Sequence, residues 1–162
     1  MISIRKMNED DIPSVAAMEQ QIFTDPWSEN VYRQTLKLDG VTYLVATDDE
    51  QEEKNNAAES KSNNIRYEKI VAACGIRNIV GDGEITNVMV LPEYRNCGLG
   101  YTMVSKLLEE GRMLGVINFT LEVRSSNTAA ISLYEKLGFA AEGIRKNFYD
   151  HPKEDAVIMW KR

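Results

Sequence analysis

Residues 88–100 read Val88-Met89-Val90-Leu91-Pro92-Glu93-Tyr94-Arg95-Asn96-Cys97-Gly98-Leu99-Gly100, and their reading decides the fold. A run of β-formers meets Pro92, which cannot donate to a ladder and closes the strand. A short polar loop follows. Beyond it Val104, Leu107, Leu108 and Leu114 recur on one helical face, which predicts a helix from about Gly98 to Leu114. A glycine loop between a strand and a helix start suits an anion. Glycine allows close backbone approach, and the first N–H groups of a helix lack an intrahelical acceptor. Arg95 is placed to add a charge-assisted contact to the same anion. A plain tight turn is equally compatible with Gly-x-Gly taken alone. No Gly-Lys-Ser/Thr follows, so this is not a Walker loop, and the six-residue dinucleotide pattern is incomplete.

Working upstream, Tyr67 to Val80 and Glu84 to Leu91 read as strands joined by a turn at Gly81-Asp82-Gly83. Asp48 to Asn64 holds no large apolar residue and cannot offset its ordering entropy, so a polar, mobile insertion is expected there, or alternatively an acidic lid. Val41 to Thr47 is a strand. Ile12, Val15, Met18 and Ile22 keep helical spacing behind Glu9, Asp10 and Asp11, where the helix dipole favours acids. Asp25-Pro26-Trp27-Ser28 breaks that helix, and Ser28 caps a second one through Val31 and Leu36. Ile2 to Arg5 is a short strand. Downstream, Val116 to Arg124 is a strand and Asn127 to Leu137 a helix stopped by Gly138. Phe139 to Phe148 and Ala156 to Trp160 are the last strands. The alternation predicts a single α/β domain over residues 1–162 with a mixed sheet.

A chain of 162 residues can bury a core without staples, and 43% hydrophobic with 27% charged residues excludes wholesale disorder. No apolar run approaches the ~18 residues of a membrane span, and the N-terminus turns acidic at once, unlike a signal segment. Cys74 and Cys97 alone make a disulfide framework unexpected and fit a cytosolic setting. The single histidine, His151, leaves too few soft ligands for zinc, so no metal is expected. With 25 acidic against 19 basic residues the net charge is −6, which argues against nucleic acid as the main ligand. Anion binding therefore needs a local device, and the loop after Leu91 is the candidate for it.

The second informative stretch runs from Leu121-Glu122-Val123-Arg124 through Asn127 to Tyr134-Glu135-Lys136-Leu137-Gly138-Phe139. Asn127 is a natural helix cap, and Tyr134, seven residues on, shares its helical face. In the strand before it, Ile117, Phe119, Leu121 and Val123 form one face, while Thr120, Glu122 and Arg124 form the other.

Together, Arg95-x-x-Gly98-x-Gly100 and this second stretch resemble the GNAT acetyltransferase superfamily. With Asp25-Pro26-Trp27-Ser28, Asn147-Phe148-Tyr149 and Glu154-Asp155-Ala156, the likeness spans nearly the whole chain and is greatest to bacterial ribosomal-protein-alanine N-acetyltransferases. The chain departs from that pattern at Asn96, where a basic residue is common, at Phe148-Tyr149, where a Tyr-Tyr pair is common, and in its polar insertion. The resemblance implies a GNAT fold, a mostly antiparallel splayed sheet flanked by helices, holding acetyl-CoA between two diverging strands. It implies pantetheine along the backbone of Val88, Met89 and Val90, and pyrophosphate on the loop Asn96, Cys97, Gly98, Leu99, Gly100 and Tyr101. Asn127 would meet the far arm of the cofactor. It makes Glu122 the base and Tyr134 the acid, with Glu84 a second candidate base by likeness to the histone acetyltransferase branch.

Those residue types suit acyl transfer to an amine, which needs a neutral nucleophile, a polarised carbonyl and a protonated leaving thiolate. At pH 7.5 roughly a third of α-amines are neutral, against about one lysine in a thousand, so a glutamate acting through water suffices for an N-terminus. Each assignment has a plainer counterpart. Glu122 could simply pair with Arg124, and Glu84 could be a strand-end acid. Trp27 and Tyr149 could line an acceptor groove, or be a helix anchor and a solvent-facing strand residue. The acceptor implied is a protein N-terminus, the alanine of a small-subunit ribosomal protein. Two readings stay open beside it: a lysine or small-molecule amine as acceptor, and a non-catalytic acetyl-CoA sensor.

Overall fold

The computed structural model describes residues 1–50 and 67–162. Its strands are β1 (Ile2–Lys6), β2 (Val41–Glu50), β3 (Tyr67–Ile79), β4 (Asp82–Val90), β5 (Asn118–Arg124), β6 (Ala140–Asp150) and β7 (Lys153–Lys161). They form one sheet in the order β1-β2-β3-β4-β5-β7-β6. Every neighbouring pair is antiparallel except β4 and β5, which run parallel. The helices are α1 (Ile12–Ile22), α2 (Glu29–Leu36), α3 (Leu99–Met113) and α4 (Thr128–Lys136). The mixed α/β sheet is what the residue pattern predicts, and its mostly antiparallel order is what the resemblance implies. Among the described residues no helix is long and apolar enough to cross a membrane.

The helices cover both faces of the sheet. On one, α3 buries Met103, Val104, Leu107 and Leu108, and a side chain at Gly111 would meet the Phe119 ring at 2.8 Å. On the other lie α1 and α2, where Tyr32 packs edge-on against Tyr43 at 5.9 Å. Ser28 caps α2 through Val31 N–H at 3.3 Å, and Asn127 caps α4 through Ala130 N–H at 3.2 Å, as their residue types predict. Asp11 does more than favour a helix dipole: it closes a capping box with Asn8 and takes two hydrogen bonds from Arg5 at 2.7 and 2.9 Å.

Several boundaries differ from the expectation. The hairpin between β3 and β4 turns at Val80-Gly81, not at 81–83, because both residues take positive φ (53° and 90°), the geometry that matches strand twist. Gly83 is then a strand residue, and a Cβ there would lie 2.7 Å from Val116. The polar insertion begins later than Asp48: β2 continues to Glu50 against Tyr67. The Asp48 carboxylate holds that segment by accepting from the N-terminal ammonium at 3.0 Å and from the Tyr94 hydroxyl at 2.8 Å. The rest of the expected insertion, residues 51–64, lies outside the described residues. Lastly, Ile117 does not join the buried face of β5; it precedes the strand and is 76% exposed.

Candidate active site

The parallel pairing of β4 with β5 lasts only three steps, Asp82 with Asn118, Gly83 with Phe119 and Glu84 with Thr120. Past that point β5 pairs with β7 alone while β4 follows β3 as far as Val90. The sheet therefore opens into a cleft whose β4 edge carries backbone groups with no ladder partner on the β5 side. A bulge at Thr86 accompanies the opening: Ile76 faces Ile85 and Gly75 faces Asn87, leaving Thr86 extra. The bulge also resets which side chains face which helices. Val88 lies opposite Cys74, whose thiol donates to a carbonyl of α3, whereas Thr86 and Asn87 meet Tyr43 on the α1–α2 side. Gly75 makes this possible, since a Cβ there would lie 2.2 Å from the Tyr43 ring.

On the α3 side, the loop after β4 ends in Asn96 (φ 61°) and Gly98 (φ 83°), which caps α3. Nothing lies within 4 Å of a Cβ built on Gly98, so glycine is needed for its backbone angle and the helix start stays open. The first intrahelical bond comes from Thr102 N–H to Gly98 carbonyl at 3.1 Å, leaving the N–H groups of Leu99, Gly100 and Tyr101 without an intrahelical acceptor. This cradle fits a pyrophosphate. Arg95 is exposed, and its Nε donates to the Val90 carbonyl at 2.9 Å, so it ties the loop to the end of β4. Cys97 is exposed and turned onto the Tyr94 carbonyl. The Asn127 side-chain oxygen serves its own helix cap.

On the α1–α2 side, Glu84 and Thr86 share a cavity of about 310 Å³ with Trp27, Val31, Tyr43 and Arg77. Trp27 packs on Tyr32 at 5.4 Å and lines this cavity, so it is both anchor and wall. Glu122, 25% exposed, lies two residues beyond the last β4–β5 pair, on the face of Thr120 and Glu84. It does not pair with Arg124. Its Oε1 forms an ion pair with Arg145 of β6, 2.9 Å from Nε. Arg124 instead reaches Glu154 at 3.3 Å, the Pro152 carbonyl at 3.0 Å and Thr24 at 3.4 Å, because the β6–β7 turn brings several acceptors to one fork. It also lies 4.3 Å over the Tyr149 ring. His151, 74% exposed, stands 3.1 Å from Asp25, a second link between this turn and the loop after α1.

Tyr134 is only 7% exposed and packs edge-on against Phe139 at 5.8 Å. Burial pushes its phenol well above the ordinary range, so it holds its proton. Tyr149 is also raised, first by burial and then by the negative charge of Glu122. Fold and sequence thus bring Glu122 and Tyr149 within electrostatic reach, with Glu84 at the apex of the cleft. Sequence reasoning missed Glu19, Asn87 and Arg145. Glu19 had a signal: it continues the Ile12, Val15, Ala16 face of α1 and is 2% exposed. Arg145 had none, since its reach depends on the irregular β6–β7 register.

Residues 12–139 match the Acetyltransferase (GNAT) family. A protein of Bacillus subtilis (strain 168) is 34% identical over 159 residues, covering 98% of this chain and 93% of its own length. The ribosomal protein bS18-alanine N-acetyltransferase of Escherichia coli (strain K12) is 33% identical over 162 residues, with 98% and 96% covered. The crystal structure of the ribosomal-protein-S18-alanine N-acetyltransferase from Escherichia coli superposes with a TM-score of 0.78 at 28% identity, covering 99% of this chain and 93% of that one. The family match takes in well over half of the sequence, and the chain belongs to the GNAT family of acetyl-CoA-dependent N-acetyltransferases.

Proposed function

We propose that this enzyme acetylates the N-terminal α-amine of a protein, with the N-terminal alanine of a small-subunit ribosomal protein as acceptor. The observation that carries the reading is the cleft past Glu84 and Thr120, with α3 on one side and, on the other, the cavity that Trp27, Glu84 and Thr86 line. The relatives' bS18-alanine activity supports the acceptor. The net charge of −6 suits a cationic peptide terminus better than nucleic acid. No metal or membrane is needed for this reaction.

Acetyl-CoA supplies an activated acyl group, and transfer to the amine is direct. The β4 edge at Val88, Met89 and Val90, which has no ladder partner on the β5 side, holds the pantetheine arm. The open start of α3, from Asn96 through Cys97, Gly98, Leu99 and Gly100 to Tyr101, takes the pyrophosphate with Arg95 beside it, and Asn127 meets the far arm. Trp27 and Tyr149 wall the acceptor. Glu122 takes the ammonium proton through a water, with Glu84 the second candidate for that task. An α-amine lies about 2.5 pK units below lysine, which lightens the work of the base by about 3.4 kcal/mol. Tyr134, kept protonated by burial, stands ready to donate to the leaving sulfur.

The test offers acetyl-CoA with two peptides, following thiol release and locating the acetyl group by mass spectrometry. One peptide begins with free alanine and lacks lysine; the other is N-blocked and contains lysine. Transfer to the first alone is expected. Transfer only to the second overturns the reading and favours Glu84, and transfer to neither points to a small-molecule acceptor or a sensor.

A further inference from the structure

The transfer chemistry leaves one buried acid unused. Glu19 sits in the last turn of α1 at 2% exposure, between the acceptor-side loop and the cleft. Its Oε2 accepts from the Trp27 backbone N–H at 2.8 Å, and its Oε1 accepts from Asn87 Nδ2 at 2.7 Å. The Asn87 oxygen in turn accepts from the Tyr43 hydroxyl at 3.0 Å, and that hydroxyl lies 2.7 Å from Thr86 Oγ1. We infer that Glu19 is a positioning residue for acetyl transfer: its carboxylate locks the Trp27 wall of the acceptor cavity to the β4 bulge that opens the donor cleft. The inference rests on the N-acetyltransferase reading above and adds to it the element that sets donor against acceptor.

Three features carry it. First, the polar chain connects two functional points, with the Tyr32 hydroxyl as a further polar neighbour of Glu19. Trp27 and Thr86 line the same cavity, while Asn87 directly precedes Val88, Met89 and Val90. Second, the polarity of the chain is specified. Trp27 N–H and Asn87 Nδ2 can only donate, and the Asn87 oxygen is already engaged by Tyr43, so both Glu19 oxygens accept, the pattern that a carboxylate satisfies with both of its oxygens. Third, the charge is kept at a cost. Burial raises the Glu19 pKa, so the site is unfavourable for an anion, and an apolar residue would continue the Ile12, Val15, Ala16 face more cheaply. An aromatic row, Trp27 on Tyr32 at 5.4 Å and Tyr32 on Tyr43 at 5.9 Å, runs between the same two points and stiffens the link. A misplacement of about 1 Å between reacting groups can cost ~100-fold in rate, so a lock at this place governs turnover without touching substrate.

The experiment exchanges the charge along the chain. Glu19→Gln places an amide donor against Trp27 N–H or Asn87 Nδ2 and breaks one bond. Adding Asn87→Asp restores all of them: the new amide at position 19 donates to the new carboxylate at position 87, and that carboxylate still accepts from the Tyr43 hydroxyl. The three proteins E19Q, N87D and E19Q/N87D are compared with the parent, using whichever of the two peptides the parent acetylates. Readouts are kcat and KM for the peptide, acetyl-CoA affinity by calorimetry and the urea midpoint. The parent alone decides the acceptor class; the ratios decide the role of Glu19. Each single variant is expected to lose at least about tenfold in peptide kcat/KM with acetyl-CoA affinity kept within about threefold, since the Gly98 cradle is untouched. The double variant is expected to recover to within about threefold of the parent. A folded E19Q with unchanged peptide kinetics overturns the inference, as does a double variant no faster than E19Q. A parent that acetylates neither peptide overturns the acceptor reading and this inference together.

Discussion

Replacing Tyr134 by phenylalanine separates chemistry from packing at a buried member of the site. The ring is 7% exposed and meets Phe139 edge-on at 5.8 Å and 63°. Phenylalanine keeps that ring, the aromatic pair and nearly all the buried area, and removes one hydroxyl. On the folding side, the change is bounded by the net worth of a single hydrogen-bonding group, about 1 kcal/mol. That leaves a protein of ordinary stability, about 5–15 kcal/mol, fully folded. On the catalytic side, loss of a general acid slows turnover by about 10²–10⁴, or about 2.7–5.5 kcal/mol of barrier at about 1.36 kcal/mol per tenfold. The assay is thiol release at saturating acetyl-CoA with the alanine-starting peptide, run beside a urea titration. Tyr134→Phe is expected to lose at least about 10²-fold in kcat while its midpoint barely moves. Tyr134→Ala, which also empties the ring's place, is expected to lose about 3–5 kcal/mol of stability as well. A Tyr134→Phe enzyme within about threefold of the parent would refute the acid role and leave this tyrosine a core residue.

Glu122→Gln should lower kcat/KM by about 10²-fold at pH 7 and by less at pH 9, where the α-amine is already neutral, while Glu84→Gln stays within about threefold; the reverse pattern moves the base to Glu84. Gly75→Ala should cost about 2–4 kcal/mol by urea titration, because its Cβ would sit 2.2 Å from the Tyr43 ring and the bonds of Tyr43 to Thr86 and Asn87 would shift with it. A cost below about 1 kcal/mol would show that Tyr43 has room to move. Acid should weaken the fold through two depressed carboxylates. Hydrogen bonds from Ser126, joined by Arg124 and Ser125, hold Glu154 down to about 2, and at Asp11 burial pulls upward but the Arg5 bonds win and lower it. Both groups lose protons more readily folded than unfolded, so their stabilisation is present above their unfolded pKa of about 4–4.5 and is lost as pH falls toward 2. Glu19, raised by burial, works in the opposite direction. Urea midpoints at pH 6 and 3.5 should therefore converge in a protein carrying Asp11→Asn and Glu154→Gln, and an acid limb as steep as the parent's would count against this account.

Much of this protein is legible in its sequence because the signals are local. Pro92 ends a strand, Gly98 permits the left-handed cap, Ser28 and Asn127 carry the oxygens that caps require, and the alternation of Phe119, Leu121 and Val123 sets Glu122 on the opposite face. Each depends on a residue and its near neighbours, so order and spacing alone recover the strand, open helix start and second strand that a cofactor cleft needs. The tertiary structure alone decided the partners. Glu122 meets Arg145 rather than Arg124, Asp48 is drawn into β2 by the chain's own N-terminus and Tyr94, and Glu19 is bound to Trp27 and Asn87. Those contacts join residues far apart in sequence, through a strand crossing, a bulge and an irregular register. A one-residue change of register turns every later side chain to the other face. Which charges meet is therefore a property of the assembled sheet, and no local pattern in the chain carries it.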